Sequence, residues 1–315
     1  MICLVSGGAG FIGSHIVDKL LSLKNIVIVL DNFSSGKEEN LKEHIDNINL
    51  KIIKRDIREN VKDIFSKYKI DAVFHLAAIT SVPYSIENPK ETNRTNVNGT
   101  INLLECCRRF GVKRFIFSSS CAVYGNQSTL PFVESMNPNP LSPYALSKLI
   151  GEQQCKLFTS LYGLECINLR YFNVYGPRQN PDGDYSSLIP KFIRLLKESK
   201  TPKINGSGEQ TRDFVFVSDI VNANLSALNT NNKTCFGESF NIGSATKISV
   251  NEVTKNIILL SEKNISPIYG PSLIEPKDAL ADISKAKSIL NWEPNYKFEQ
   301  GLKETFNFLS NPINK

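Results

Sequence analysis

No apolar run in this 315-residue sequence approaches the ~18 residues that a membrane-spanning helix needs. Blocks of basic residues are absent too: 37 Lys and Arg against 31 Asp and Glu leave a net charge of +6, scattered along the chain. That pattern suits a small anionic ligand and argues against a nucleic-acid surface. The seven cysteines, at 3, 106, 107, 121, 155, 166 and 235, are odd in number and lack the spacing of a disulfide framework. Reduced thiols are therefore expected. Met1 leads straight into the strand-like Ile2-Cys3-Leu4-Val5, which leaves no room for a signal peptide, so a cytoplasmic location is expected. Repeats, low-complexity segments and a disordered linker are missing, and no metal site is expected. What remains is 41% apolar and 22% charged, an ordinary soluble composition with length for two domains or one large α/β unit.

The first of those residues carry a signal. Residues 2–5 read as a buried strand, and Ser6-Gly7-Gly8-Ala9-Gly10-Phe11-Ile12-Gly13 follows at once. Ile12, Ile16 and Leu20 then recur at helical spacing. Gly7 permits a tight turn, Gly10 lets the backbone approach a pyrophosphate, and Gly13 allows close helix packing. The phosphates would sit on the helix N-terminus, beside Phe11 and Ile12, where free N–H groups and the helix dipole favour anions. The next strand, 26–30, ends in Asp31, 18 residues after Gly13. A carboxylate there can accept from a ribose 2′-OH and repels a 2′-phosphate, which favours NAD over NADP.

The turn Asn32-Phe33-Ser34-Ser35-Gly36 follows, and a short strand at 51–54 runs into Asp56-Ile57, placed to flank an adenine ring. Residues 71–78 form a fourth strand whose end, Leu76-Ala77-Ala78, is small enough for backbone to pass close to a ligand. His75 within it is expected to pack or cap rather than catalyse. A helix over 96–110 and a strand over 113–117 lead into Ser118-Ser119-Ser120-Cys121-Ala122. Hydroxyls at the carboxyl end of a parallel strand sit where such sheets bind ligands.

One helix later comes Ser142-Pro143-Tyr144-Ala145-Leu146-Ser147-Lys148. Ser142 suits the N-cap and Pro143 the first helical position. Tyr144 and Lys148, four residues apart, then share one face. An ammonium beside a phenol is expected to pull its pKa below the usual ~10, towards a phenolate general base. Taken alone, such pairs occur on many helices by chance. The glycine turn and the serine strand end give this one a context.

Strand–helix alternation to residue 168 predicts an α/β fold with a doubly wound parallel (Rossmann) sheet over 1–168. The texture then changes. A strand over 166–173 is broken by Gly176-Pro177-Arg178, and turn-rich loops alternate with shorter helices such as 188–197. Residues 169–213 and 241–315 read as a smaller C-terminal α/β substrate domain, with 214–240 returning to the first.

In this order, Gly7-x-x-Gly10-x-x-Gly13, Asp31, Ser118-Ser119-Ser120 and Tyr144-x-x-x-Lys148 resemble the extended short-chain dehydrogenase/reductase superfamily. Leu169-Arg170-Tyr171-Phe172-Asn173, Gly206-x-Gly208-x-x-x-Arg212-Asp213-Phe214 and Ala281-Asp282-Ile283-Ser284-Lys285-Ala286 resemble its NAD-dependent UDP-sugar 4-epimerases. The resemblance implies that Tyr144 exchanges a proton with the sugar 4-OH while hydride passes between C4 and NAD. Lys148 would bond the nicotinamide ribose and Ser120 the reacting oxygen. Phe172 would lie near the nicotinamide, Asn173 and Ser81 would hold the sugar nucleotide, and Arg212 would pair with its phosphates. Related dehydratases and decarboxylases carry a carboxylate just after the catalytic Ser or Thr, where this chain has Cys121 and Ala122. Glucuronate 4-epimerases tend to have Thr where Asn173 stands, so a neutral hexose is the better fit. A family arginine on the diphosphate is replaced by Ser272, and a Gly-Asp pair by Ile274-Glu275, with Lys277 the nearby cation.

Ala279 corresponds to the family position against the sugar C2 substituent, and its small side chain implies room for a 2-acetamido group. Ser81-Val82-Pro83 and Asp182-Gly183-x-Tyr185 also look like UDP-N-acetylglucosamine 4-epimerases. Family members commonly form homodimers through helices equivalent to 94–110 and 144–162, where Ile101, Leu104, Leu157 and Leu161 could serve the interface or the core. Two other classes compete: a non-catalytic NAD-binding regulator, which typically loses the Tyr/Lys pair, and an oxidoreductase that releases NADH.

Overall fold

The computed structural model describes residues 1–182, 187–272 and 278–311. Seven short apolar segments form one parallel sheet: β1 (Ile2–Ser6), β2 (Ile26–Asp31), β3 (Leu50–Lys54), β4 (Ala72–His75), β5 (Arg114–Ser120), β6 (Glu165–Tyr171) and β10 (Ser239–Ile242). Their order is β10-β6-β5-β4-β1-β2-β3, so the chain reverses direction across the sheet between β1 and β4. In a parallel sheet a crevice opens at that point, outside the carboxyl ends of the strands.

Both faces of the sheet are covered, which is why its strands read as continuous apolar runs. Alternate residues divide between two cores. Cys3, Val5, Val27, Val29, Ile116, Ile167 and Leu169 pack on one side with the helices Phe11–Ser22 and Val217–Asn229. Leu4, Ile28, Leu30, Phe115, Phe117 and Cys166 pack on the other with Gly99–Phe110 and Pro143–Tyr162.

Asn173 does not extend β6. Phe172 N still donates to Ile242 O at 3.0 Å, but the chain then leaves the large sheet. β7 (Asn173–Tyr175) pairs with β9 (Thr211–Phe216), and β9 with β11 (Lys247–Ser249), in a second sheet of three strands. A two-stranded sheet joins β8 (Lys203–Asn205) to β12 (Ile268–Gly270). Around these sheets a third core forms from Ile189, Phe192, Ile193, Phe214, Phe216, Val253, Ile257 and Leu302. Within 214–240, strand β9 therefore belongs to the small sheet, while the helix Val217–Asn229 and the start of β10 lie on the large one.

Candidate active site

The carboxyl ends of β1, β2, β4 and β5 converge on a cavity of about 910 Å³. Its glycine floor has a steric origin. A Cβ on Gly7 would lie 2.7 Å from Ala77 N at the end of β4, and one on Gly13 would lie 2.1 Å from Gly7 O. Gly7 also sits at φ +73°, a conformation glycine adopts without penalty. The helix Phe11–Ser22 starts at Gly10 with no side-chain cap, which leaves its first N–H groups for a ligand. At the end of β2, Asp31 accepts from Ala9 N at 2.9 Å and Phe33 N at 2.8 Å. Burial pushes its carboxyl pKa up and these two bonds oppose the rise. Two bonds leave acceptor sites on the carboxylate for ribose hydroxyls. Farther along, Asn32 Nδ2 donates to Asp56 Oδ2 at 2.7 Å, and the Arg58 guanidinium draws the Asp56 pKa down to about 2.

The same cavity runs on to Ser118, Ser119 and Ser120, Tyr144, Lys148 and Phe172. Ser142 Oγ accepts from Ala145 N at 3.1 Å and caps the helix Pro143–Tyr162, with Pro143 in its first turn. Asn96 braces this helix to the opposite wall. Its side chain bonds Ile79 N and O at 2.8 and 2.9 Å and Ser147 Oγ at 2.9 Å, and Ser147 Oγ donates to Tyr144 O at 2.7 Å.

The charges differ from the sequence expectation. Burial pushes the Tyr144 phenol up to about 12, and only its hydrogen bond with Ser120 favours the phenolate. Lys148 Nζ donates to Ser118 O at 2.7 Å and stands 5.9 Å from the Tyr144 ring centroid. Burial draws Lys148 itself down to about 8. Desolvation, opposed by Ser120 and not by the Lys148 ammonium, therefore sets the phenol's pKa.

Of the residues the sequence assigns to cofactor, nearly all line this cavity: Gly7, Gly10, Phe11, Ile12, Gly13, Asp31, Asn32, Ser34, Ser35, Asp56, Ile57, Leu76, Ala77, Ala78, Ser118, Tyr144, Lys148 and Phe172. Gly36 does not; it packs where a Cβ would lie 3.0 Å from the Asp31 carboxylate. Ser81 lines the cavity and caps the helix Val82–Glu87. His75 is apart from the reacting groups, bonded to Ser6 Oγ at 2.7 Å and Thr100 Oγ1 at 2.8 Å, and burial lowers its pKa to about 3.

A second cavity of about 440 Å³ is lined by Asn173, Leu188, Ile204, Arg212 and Phe214 among others. It shares Val174, Gln179 and Ser187 with the first. Ala279 lines neither; it is buried, with its N–H donating to Thr211 O at 3.1 Å. Gly183, Tyr185, Ile274, Glu275 and Lys277 lie outside the described residues. Sequence reasoning passed over Arg178, Gln179 and Asn96. Arg178, at φ +65° after Gly176-Pro177, reaches the first cavity and pairs with Asp18 at 2.7 Å.

A glycine turn, an acid at the end of β2, a serine strand end and a Tyr–Lys pair all open on one cavity, and the sequence pattern of the NAD dependent epimerase/dehydratase family matches residues 3–243. The chain belongs to that family. It is 43% identical over 312 residues to a putative UDP-glucose 4-epimerase of Methanocaldococcus jannaschii, covering 98% of each chain. The solved UDP-glucose 4-epimerase of Thermotoga maritima superposes with a TM-score of 0.92 at 40% identity and 98% coverage of both chains. A UDP-N-acetylglucosamine 4-epimerase of Methanobrevibacter ruminantium does so with a TM-score of 0.92 at 39% identity and 97% coverage of both. NAD is the cofactor of this family of epimerases, and the uncapped helix end, the close-packed glycines and the Asp31 carboxylate suit its pyrophosphate and ribose. Among the described residues no helix is long and apolar enough to cross a membrane, and no group of three or more His, Cys, Asp or Glu could hold a metal ion.

Proposed function

We propose that this epimerase interconverts UDP-hexoses at C4, taking both the UDP-glucose/UDP-galactose and the UDP-N-acetylglucosamine/UDP-N-acetylgalactosamine pairs, in the cytoplasm. One observation carries the reading: a second cavity lined by Asn173 and Arg212 lies beside the Tyr144 cavity, the two sharing Val174, Gln179 and Ser187 in their linings. A nucleotide diphosphate seated there would point its sugar at the reacting groups, with Arg212 as the phosphate partner.

NAD, held at the Gly10 helix end and by Asp31, would supply the hydride acceptor and donor for C4. Tyr144 takes the 4-OH proton and gives it back after the 4-keto sugar has turned over. Ser120, hydrogen-bonded to the phenol, holds the reacting oxygen and can pass that proton. Lys148, anchored on Ser118 O, would hold a positive charge beside the nicotinamide ribose. With Cys121 and Ala122 following Ser120, the two positions where related dehydratases and decarboxylases carry a carboxylate hold none.

The N-acetylated half of the reading rests on the resemblance that sets the small Ala279 against the sugar C2 substituent; because Ala279 is buried against Thr211 and lines neither cavity, it would act by shaping the wall from behind rather than by touching the sugar. Purified protein without added cofactor should interconvert both pairs of UDP-sugars. Ala279→Tyr should lose the N-acetylated pair and keep the plain one. Turnover of UDP-galactose with none of UDP-N-acetylglucosamine would refute the substrate width, and a requirement for added NAD with release of NADH would favour a net oxidoreductase.

A homodimer completes the proposal. Leu157 and Leu161 are 56% and 66% exposed on the helix Pro143–Tyr162, which supports an interface there, while Leu104 is fully buried and belongs to the core.

A further inference from the structure

A charge stands in a strand that is otherwise buried. The Arg170 side chain, within Leu169-Arg170-Tyr171, is 5% exposed, and Glu152, one helical turn beyond Lys148, is 3% exposed. They form a two-pronged ion pair, with Arg170 Nε donating to Glu152 Oε1 at 2.9 Å and Nη2 to Oε2 at 2.7 Å. So deep a pair is a weak source of stability, because desolvating two ions cancels most of their attraction. Its other contacts reach the site. Glu152 Oε1 also accepts from Ser119 Oγ, the residue before Ser120. Arg170 Nη1 donates to Tyr124 OH at 2.9 Å, and Tyr124 OH donates to Asn241 Oδ1 at 2.6 Å. Asn241 Nδ2 donates in turn to Phe132 O and Asp282 O at 2.8 and 3.1 Å, where Phe132 bridges to Ala281.

We propose that Glu152 is a positioning residue of the active site: held by Arg170, its carboxylate fixes Ser119 beneath Ser120 and presents a buried negative charge to Lys148. Several groups surround that ammonium. From β5 come the Ser118 carbonyl and the Phe117 ring, 5.1 Å away at its centroid. From β4 comes His75, neutral in its burial, and from the lysine's own helix come Tyr144 and Glu152. Glu152 is the anion among them, and it opposes the loss of charge that burial imposes on Lys148. Around Glu152 itself stand Arg170 from β6, Ser119 from β5 and the Cys155 thiol from the same helix.

Glu152→Gln keeps the side chain's shape and removes its charge. In the whole protein labelled with ¹⁵N-lysine, with Lys148→Arg assigning the signal, the Lys148 titration midpoint should fall by about one pH unit or more. The alkaline limb of kcat/KM should move down with it. Ser119→Ala removes the contact and leaves the charge, so it should lower kcat and leave the Lys148 midpoint in place. If Glu152→Gln alone does not fold, Glu152→Gln with Arg170→Gln leaves neither ion orphaned; the Lys148 midpoint should still fall, by less, because a more distant positive charge is lost with the anion. An unmoved Lys148 midpoint in a folded variant overturns the proposal. The titration is read without turnover, so it stands or falls separately from the epimerase reading on which the kinetic arm rests.

Discussion

At Tyr144 the two largest influences oppose each other, and burial prevails: the phenol rises to about 12 while Lys148 falls to about 8. Tyr144 is therefore neutral at pH 7, and the proposed role as base requires that a bound group lower its pKa. Tyr144→Phe should keep NAD and UDP-sugar affinity, measured by fluorescence titration, while turnover falls by at least the ~10²–10⁴-fold typical of a lost general base. Near-normal turnover would end the role. The i, i+4 spacing was enough to put Tyr144 and Lys148 on one face, because helix geometry is local. The direction of the pKa shift was not legible, because it depends on strands and helices far away in the chain. Asp31 is simpler, since its task follows from its place at a strand end. Wild-type protein should prefer NAD to NADP, and Asp31→Ala should narrow that gap by removing a negative charge facing the 2′-phosphate. Equal affinities of the wild type for both would refute it.

Elements show where local pattern stops deciding. Residues 166–173 look like one strand because no glycine or proline interrupts them, yet β6 ends at Tyr171 and Asn173 begins β7 in another sheet. Only the pairing partners, Ile242 on one side of the break and Phe214 on the other, separate them. The glycine-turn helix and the capped helix Pro143–Tyr162 were legible because turn and cap chemistry are written in adjacent residues. His75, at the end of β4, ties that strand to Ser6 of β1 and to Thr100. Its folded pKa of about 3 lies below the unfolded 6.5, so below pH 6.5 the unfolded chain binds a proton that the native state refuses. Stability should therefore fall with falling pH, by up to about 1.4 kcal/mol per unit. Asp31, Asp213 and Asp219, pushed up by burial, act in the opposite sense at lower pH, so the window to read is pH 6.5 to 5. Denaturant titrations should show a shallower slope there in His75→Gln. An identical slope would mean that the imidazole is protonated in place.

For the molecule as a whole, Leu157 and Leu161 are two of several exposed large apolar side chains, and with Leu146 and Tyr162 they share the helix Pro143–Tyr162. Sedimentation at micromolar concentration should give a dimer, and Leu157→Glu with Leu161→Glu should give a folded monomer. A monomeric wild type would remove the interface. The segment carrying Val174 and Gln179 has another effect at this scale, because it walls both cavities. Whatever free energy one occupant contributes by ordering that shared wall is available to the other. If a uridine diphosphate tightens the hold on NAD by some factor, NAD must tighten the hold on the uridine diphosphate by the same factor. Cofactor retention would then depend on nucleotide concentration: a protein stripped of one ligand should release the other faster, and neither dissociation constant would have a meaning apart from its partner's.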